Sequence, residues 1–290
     1  MKDRLGIVSN CWQLQIESGL PIAQSVEQVL ELGLRFVELR QGSLGDCETE
    51  QRVPIPGRLA KLAAKFPEAT FNLAVEMPLI TGSNPIDDQF TETCVDAAVG
   101  LATSVAGAVP HLRIVDLAGN SVAAGQPRRD SLATLSRLSE RLHNHSQSAV
   151  ISLEHSIQPW PAFRDLFDEA RQDIDLRLCL DPCNFWLCDN NPSISDILDS
   201  IPIAHISMLH VKQRMADSPC VLPGLVPDGS DSGSVPWPST IRRLQESGYR
   251  GPILLETAPC ANIIEQLQKN CRQIEEWSGK SSDAFATAED

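Results

Sequence analysis

The feature that most constrains this chain is an alternation. Eight short β-type runs, at residues 5–9, 35–39, 70–75, 112–116, 149–154, 176–181, 205–210 and 252–256, are interleaved with amphipathic stretches at 22–32, 58–66, 89–105, 131–142, 162–171 and 239–246. A 3.6-residue apolar period marks the second group, and short, mainly apolar runs such as 151–153 and 253–255 mark the first. Runs of that kind suit parallel strands buried on both faces. Gly33 and Gly248 stand where a left-handed helix cap is wanted. Such repetition leaves two architectures, a closed barrel or an open doubly wound sheet. An open dinucleotide-binding sheet calls for GxGxxG after its first strand, and Asn10-Cys11-Trp12-Gln13 stands there instead. Eight units fit closure. The expectation is an α/β chain forming a single (β/α)8 barrel over residues 1–277, with 278–290 as a disordered tail. A length of 290 residues is within the range of one such domain.

Charge and cysteine usage narrow the function classes. The formal net charge of −14, with no Lys/Arg cluster, argues against a phosphate-backbone partner, so nucleic acid is not expected. No segment has the roughly 20 consecutive apolar residues needed to span a bilayer, so no membrane partner is expected either. Nine cysteines without CxxC spacing, and an N-terminus that runs straight into a strand, point to a reduced, cytoplasmic protein. An oligomer of identical chains is compatible with all of this. Residues 213–236 are rich in Pro, Gly, Ser and Asp and long for a connection, and read equally as a lid or as an insertion.

The chemistry concentrates at four consecutive strand ends, Ile-Ser-Leu-Glu154, Leu-Cys-Leu-Asp181, Ser-Met-Leu-His210 and Leu-Leu-Glu256. Every strand of a parallel barrel points its C-terminal end at one mouth. Side chains alternate along a strand, so these four share the inward phase if Ser152, Cys179, Met208 and Leu254 also point inward. Three carboxylates converging at the end of an apolar barrel repel one another and desolvate badly unless a cation joins them. Three carboxylates and an imidazole without a thiolate suit Mn²⁺ first, with Mg²⁺, Co²⁺ or Zn²⁺ as alternatives.

These residues carry a resemblance. The chain resembles the xylose isomerase-like barrel superfamily of sugar isomerases and epimerases, most strongly over residues 149–257. Within it, ketose 3-epimerases, inosose dehydratases and hydroxypyruvate isomerases hold one metal on a Glu, an Asp, a His and a Glu, which implies Glu154, Asp181, His210 and Glu256 here. The stretch Gly233-Ser-Val-Pro-Trp237, followed by Gly248-Tyr-Arg-Gly251-Pro and Glu256, is similar to the family's glycine-acidic-Trp segment and its lead into the last strand. Two positions depart from the pattern. Asn184 stands where the family often has His, and Gln213 where it often has Asp. Trinuclear relatives of the endonuclease IV type need further His and Asp ligands, whereas strand 3 ends in Glu76-Met-Pro78 and strand 4 in Asp116. A single-metal site is the expectation.

The resemblance implies a metal-dependent isomerase or epimerase of a small ketose, cyclitol or related polyol, working through an enediolate. Glu154 and Glu256 would be the catalytic acid/base pair. The same enediolate could expel a β-hydroxyl, making the chain a dehydratase. The Asn184 and Gln213 departures motivate a third reading, a barrel without turnover that serves as a binding subunit. Candidate contacts to the polyhydroxylated substrate are Glu76, Asp116, His155, Asn184, Arg214, Trp12 and Trp186. Lys212 and Arg214 follow His210, one of them to meet an anionic or hydroxylated group. Glu38, at the end of strand 2, is the weakest acidic candidate. His111 and His205, at strand starts, belong to the barrel's bottom.

Overall fold

The computed structural model describes residues 2–77, 79, 88–103, 105–117, 125–185, 192–215, 220–226 and 235–279. Eight parallel strands close into one barrel. They are β1 (Leu5–Val8), β2 (Phe36–Arg40), β3 (Thr70–Glu76), β4 (His111–Val115), β5 (Val150–Glu154), β6 (Leu176–Leu180), β7 (Ile206–Val211) and β8 (Ile253–Leu255). Each pairs with its sequence neighbour, and β8 closes on β1 through Leu5 opposite Ile253. The outer layer is α1 (Ile22–Glu31), α2 (Pro56–Lys65), α3 (Asp88–Thr103), α4 (Gln126–His145), α5 (Trp160–Ala170), α6 (Ile194–Ser200), α7 (Trp237–Glu246) and α8 (Ile263–Gly279).

Local chemistry sets the helix ends. Proline lies in the first turn of α2, α4, α5 and α7, where its missing N–H removes no helical bond. This is why α4 begins at Gln126, earlier than its apolar period suggests. Ser193 and Asp196 form a reciprocal capping box on α6. At the far ends, Gly33 (φ 77°) and Gly248 (φ 87°) adopt the left-handed conformation. Leu34 N–H then donates to Val29 O, and Tyr249 N–H to Leu244 O, closing α1 and α7 with Schellman bonds. Helix α8 includes residues 278 and 279, where the tail was expected to begin; 280–290 lie outside the described residues.

Two apolar layers differ greatly in extent. The large core lies between strands and helices, built from outward residues such as Ile7, Val37, Leu39, Leu153, Leu178, Leu209 and Leu255. Inside the barrel the apolar part is a small plug of Val8, Cys179, Met208 and Leu254, with Phe36 against it. Gly6 makes room for the plug, because a Cβ there would lie 2.4 Å from Phe36 Cβ and 2.6 Å from Leu254 Cδ2. Ser152, in the same phase, is buried and bonded at 2.7 Å to His111 and at 2.8 Å to Ser207.

Part of the 213–236 segment is tied down. Gln213–Arg214 pairs antiparallel with Val221–Leu222. Leu225 N–H donates to Asn270 Oδ1 on α8, and Asn270 donates to Pro223 O. Residues 216–219 and 227–234, on which the lid reading turns, lie outside the described residues. Among the described residues, the cysteines are free thiols and no helix is long and apolar enough to cross a membrane.

Candidate metal centre

Alternation along the strands carries the polar ring to the mouth above the plug. Glu154 is two residues beyond Ser152, Asp181 two beyond Cys179, His210 two beyond Met208 and Glu256 two beyond Leu254. All four are buried, and one donor atom from each lies within 4.8 Å of the others. Cys179 could join Glu154 and His210 in a second trio. Burial pushes its thiol up to about 12, so it lacks thiolate character.

The ring is not carboxylate alone. Arg113, in the middle of β4 and 1% exposed, places Nη1 2.6 Å from Glu154 Oε2 and Nη2 2.6 Å from Glu38 Oε1. Asn72 of β3 donates to the other Glu38 oxygen at 2.6 Å. Glu38 Oε1 also lies 3.2 Å from His210 Nε2. Burial by itself would raise the Glu38 carboxyl, but Arg113 and His210 hold it far below the usual carboxylate range. Glu256 takes Arg40 at 2.9 Å and Asn10 at 3.3 Å on Oε1, and Lys212 at 3.0 Å on Oε2. Lys212 also reaches Asp181 Oδ2 at 2.5 Å. Glu256 is therefore held well below its ordinary value against burial, chiefly by Lys212. Asp181 is raised because desolvation outweighs Lys212, with Glu154 and Glu256 adding to the upward push.

Asn184, just after β6, donates to Glu154 Oε1 at 2.8 Å and to His155 O at 2.9 Å. The departure from histidine thus puts an amide on a candidate ligand. Arg214 Nη2 lies 3.5 Å from Asn184 Oδ1, at the edge of the same group. Glu76 is exposed at the end of β3, and Asp116 is buried just beyond β4, its carbonyl taking the Gln158 amide.

Two of the candidate substrate contacts point away from the ring. Trp12 is 1% exposed and its indole N–H donates to Gln28 of α1, so it faces the helix layer. His155 lies outside the ring in an aromatic nest, stacked on Phe185 at 4.4 Å and edge-on to Trp160 and Phe163, with Nε2 on Gln158 O. Its strand phase, opposite to that of Glu154, is the physical reason. Trp186 lies outside the described residues.

The sequence reading passed over Arg113, Asn72, Arg40 and Asn10, and undervalued Glu38. A signal was present. Glu38 and Arg113 are charged residues inside otherwise apolar strands, Phe-Val-Glu-Leu and Leu-Arg-Ile-Val, in positions that only a polar lumen tolerates.

The family model for xylose isomerase-like TIM barrels matches residues 26–276. The chain belongs to the xylose isomerase-like TIM barrel family. Solved structures share this barrel at low identity. A xylose isomerase domain containing protein from Salmonella typhimurium is 19% identical, with TM-score 0.67, covering 95% of this chain and 98% of that one. A D-allulose 3-epimerase from Methylomonas sp. is 14% identical, with TM-score 0.68 and the same coverage. The IolI protein, solved with a zinc atom, is 14% identical, with TM-score 0.64 over 95% of this chain and 98% of that one. No curated protein sequence matches the chain. Within this xylose isomerase-like barrel, the donor set fits a divalent ion. Besides the compact spacing, neither His210 ring nitrogen makes a well-directed hydrogen bond, although carboxylate oxygens stand 3.2 Å away.

Proposed function

We propose that this chain is a divalent-metal-dependent isomerase or epimerase of a small ketose, cyclitol or related polyol. The observation that carries the reading is the convergence of Glu154, Asp181, His210 and Glu256 donors within 4.8 Å at one barrel mouth. The ion would be held by these four and, when bound, would supply Lewis-acid stabilisation of negative charge developing on substrate oxygens. The remaining work falls to the chain. Glu154, at the end of β5, and Glu256, just beyond β8, would remove a proton α to a carbonyl and return one to the enediolate. Arg113 and Asn184 orient Glu154, while Arg40 and Asn10 orient Glu256. Burial of both side chains limits their contact with bulk water. The D-allulose 3-epimerase among the structural neighbours supports a ketose as the substrate class.

The test combines uptake and turnover. Full-length protein loaded with Mn²⁺ should hold close to one ion per chain and act on a panel of ketoses and inososes, with exchange of the substrate α-proton in deuterated water. Glu154→Gln and Glu256→Gln should each lower turnover by roughly 10²–10⁴-fold while still taking up Mn²⁺. No metal uptake, or Gln variants as active as wild type, would overturn the reading.

A further inference from the structure

Lys212 is the group in this ring that the proposed reaction uses least and the geometry fixes most. It stands two residues after His210, so the inward phase of β7 delivers an ammonium into the same ring as the imidazole. Its carbonyl accepts the Trp237 indole N–H at 2.9 Å, which anchors the backbone from which it projects. The residue is 5% exposed.

The oxygens it holds are the informative part. Asp181 Oδ1 is occupied by the Cys183 N–H at 2.9 Å, which leaves Oδ2 as the cation-binding oxygen, and Lys212 Nζ sits on it at 2.5 Å. Glu256 Oε1 is engaged by Arg40 and Asn10, which leaves Oε2, and Lys212 sits on that at 3.0 Å. An ion bound through Asp181 Oδ2 and Glu256 Oε2 would take the two oxygens that Lys212 holds. Two cations cannot share them at contact distance in so buried a place without strong repulsion.

We propose that Lys212 is a resident counter-ion of this centre: its ammonium holds Asp181 and Glu256 together when no metal is present, competes with the metal for both, and is displaced on loading. This rests on the metal-binding reading above. The consequence is a preassembled but weak and exchangeable site, because every binding event must break two buried charge-assisted contacts. The carboxylates Glu38, Glu154, Asp181 and Glu256 already face Arg40, Arg113 and Lys212, with the His210 imidazole beside Glu38 and Glu256, before any ion arrives. Removing Lys212 leaves two buried carboxylates short of positive charge, and the metal becomes their best partner.

The experiment is a calorimetric Mn²⁺ titration of metal-free, full-length wild type, Lys212→Met and Lys212→Arg, with melting curves of each with and without Mn²⁺. Lys212→Met should bind Mn²⁺ at least tenfold more tightly than wild type. It should also melt lower when metal-free, and regain the difference when loaded. Lys212→Arg keeps the charge and should not bind more tightly than wild type. Equal or weaker Mn²⁺ binding by Lys212→Met, with wild type binding normally, overturns this proposal and leaves the metal reading standing. If wild type and Lys212→Met both fail to bind, the metal reading falls and this one with it. Should Lys212→Met fold only with Mn²⁺ present, the proposal is supported, and Lys212→Gln provides the titration. If neither neutral variant folds in either condition, the ammonium is a structural member that metal cannot replace, and the proposal fails.

Discussion

Arg113 shows what a single residue contributes here. Its guanidinium spans the lumen between Glu38 and Glu154, with both contacts at 2.6 Å. Burial opposes its charge, yet Glu154 and Glu38 hold its pKa above the ordinary arginine value. A buried ion pair of this kind contributes little net stability over an apolar replacement of all partners, whereas removing one partner strands the other charges. Arg113→Met should therefore cost about 3–5 kcal/mol, read from urea denaturation midpoints, and it should release Glu154 from its position. A loss below about 1 kcal/mol would mean that the two carboxylates find other partners. The sequence reading fixed on strand ends, where a metal ligand is expected, and so missed a residue whose importance comes from the middle of a strand. Lys212 carried the same ambiguity. Its spacing from His210 gives its phase, but not whether its ammonium reaches substrate or carboxylate.

At the scale of elements, the eight strands and most of the helices were legible because their periods, prolines and capping glycines are local signals. Helices α6 and α8 were not, being short in one case and close to the expected tail in the other. The connection after β7 is more informative still. Composition read it as lid or insertion, and its described part is neither floating nor free. Asn270, fully buried on α8, accepts from Leu225 N–H at 3.2 Å, donates to Pro223 O at 3.1 Å and takes the Gln266 amide at 3.0 Å. An asparagine in a helix serving the backbone of a distant segment leaves no periodic trace. Asn270→Leu should strip these bonds, cost about 1–3 kcal/mol, and speed proteolytic cleavage around residues 220–226. Unchanged cleavage would show that the ladder of Gln213–Arg214 with Val221–Leu222 holds the segment by itself.

For the whole molecule, acid stability reports how well the barrel keeps charge out of its packed layers. Burial lowers the His155 pKa to about 4, from 6.5 in the open chain, with its bond to Gln158 and the nearby Glu154 opposing that drop. Between those values the unfolded chain takes up a proton that the folded one refuses. Stability is therefore complete above pH 6.5 and falls as the pH drops toward 4, by about 3 kcal/mol from this residue. His155→Phe, whose ring suits the nest of Trp160, Phe163 and Phe185, should flatten the dependence of the urea midpoint between pH 7 and 5. An unchanged slope would place the acid-sensitive group elsewhere. What the sequence by itself determined was the eightfold alternation and, through strand phase, the four residues that meet at the mouth, because both are properties of short segments read along the chain. The tertiary structure alone decided which polar and charged groups answer them. Glu38, Asn72, Arg113 and Lys212 come from strands β2, β3 and β4 and from the residue just past β7. Whether they pair across the lumen depends on the closure, register and depth of the whole barrel, and not on any one strand.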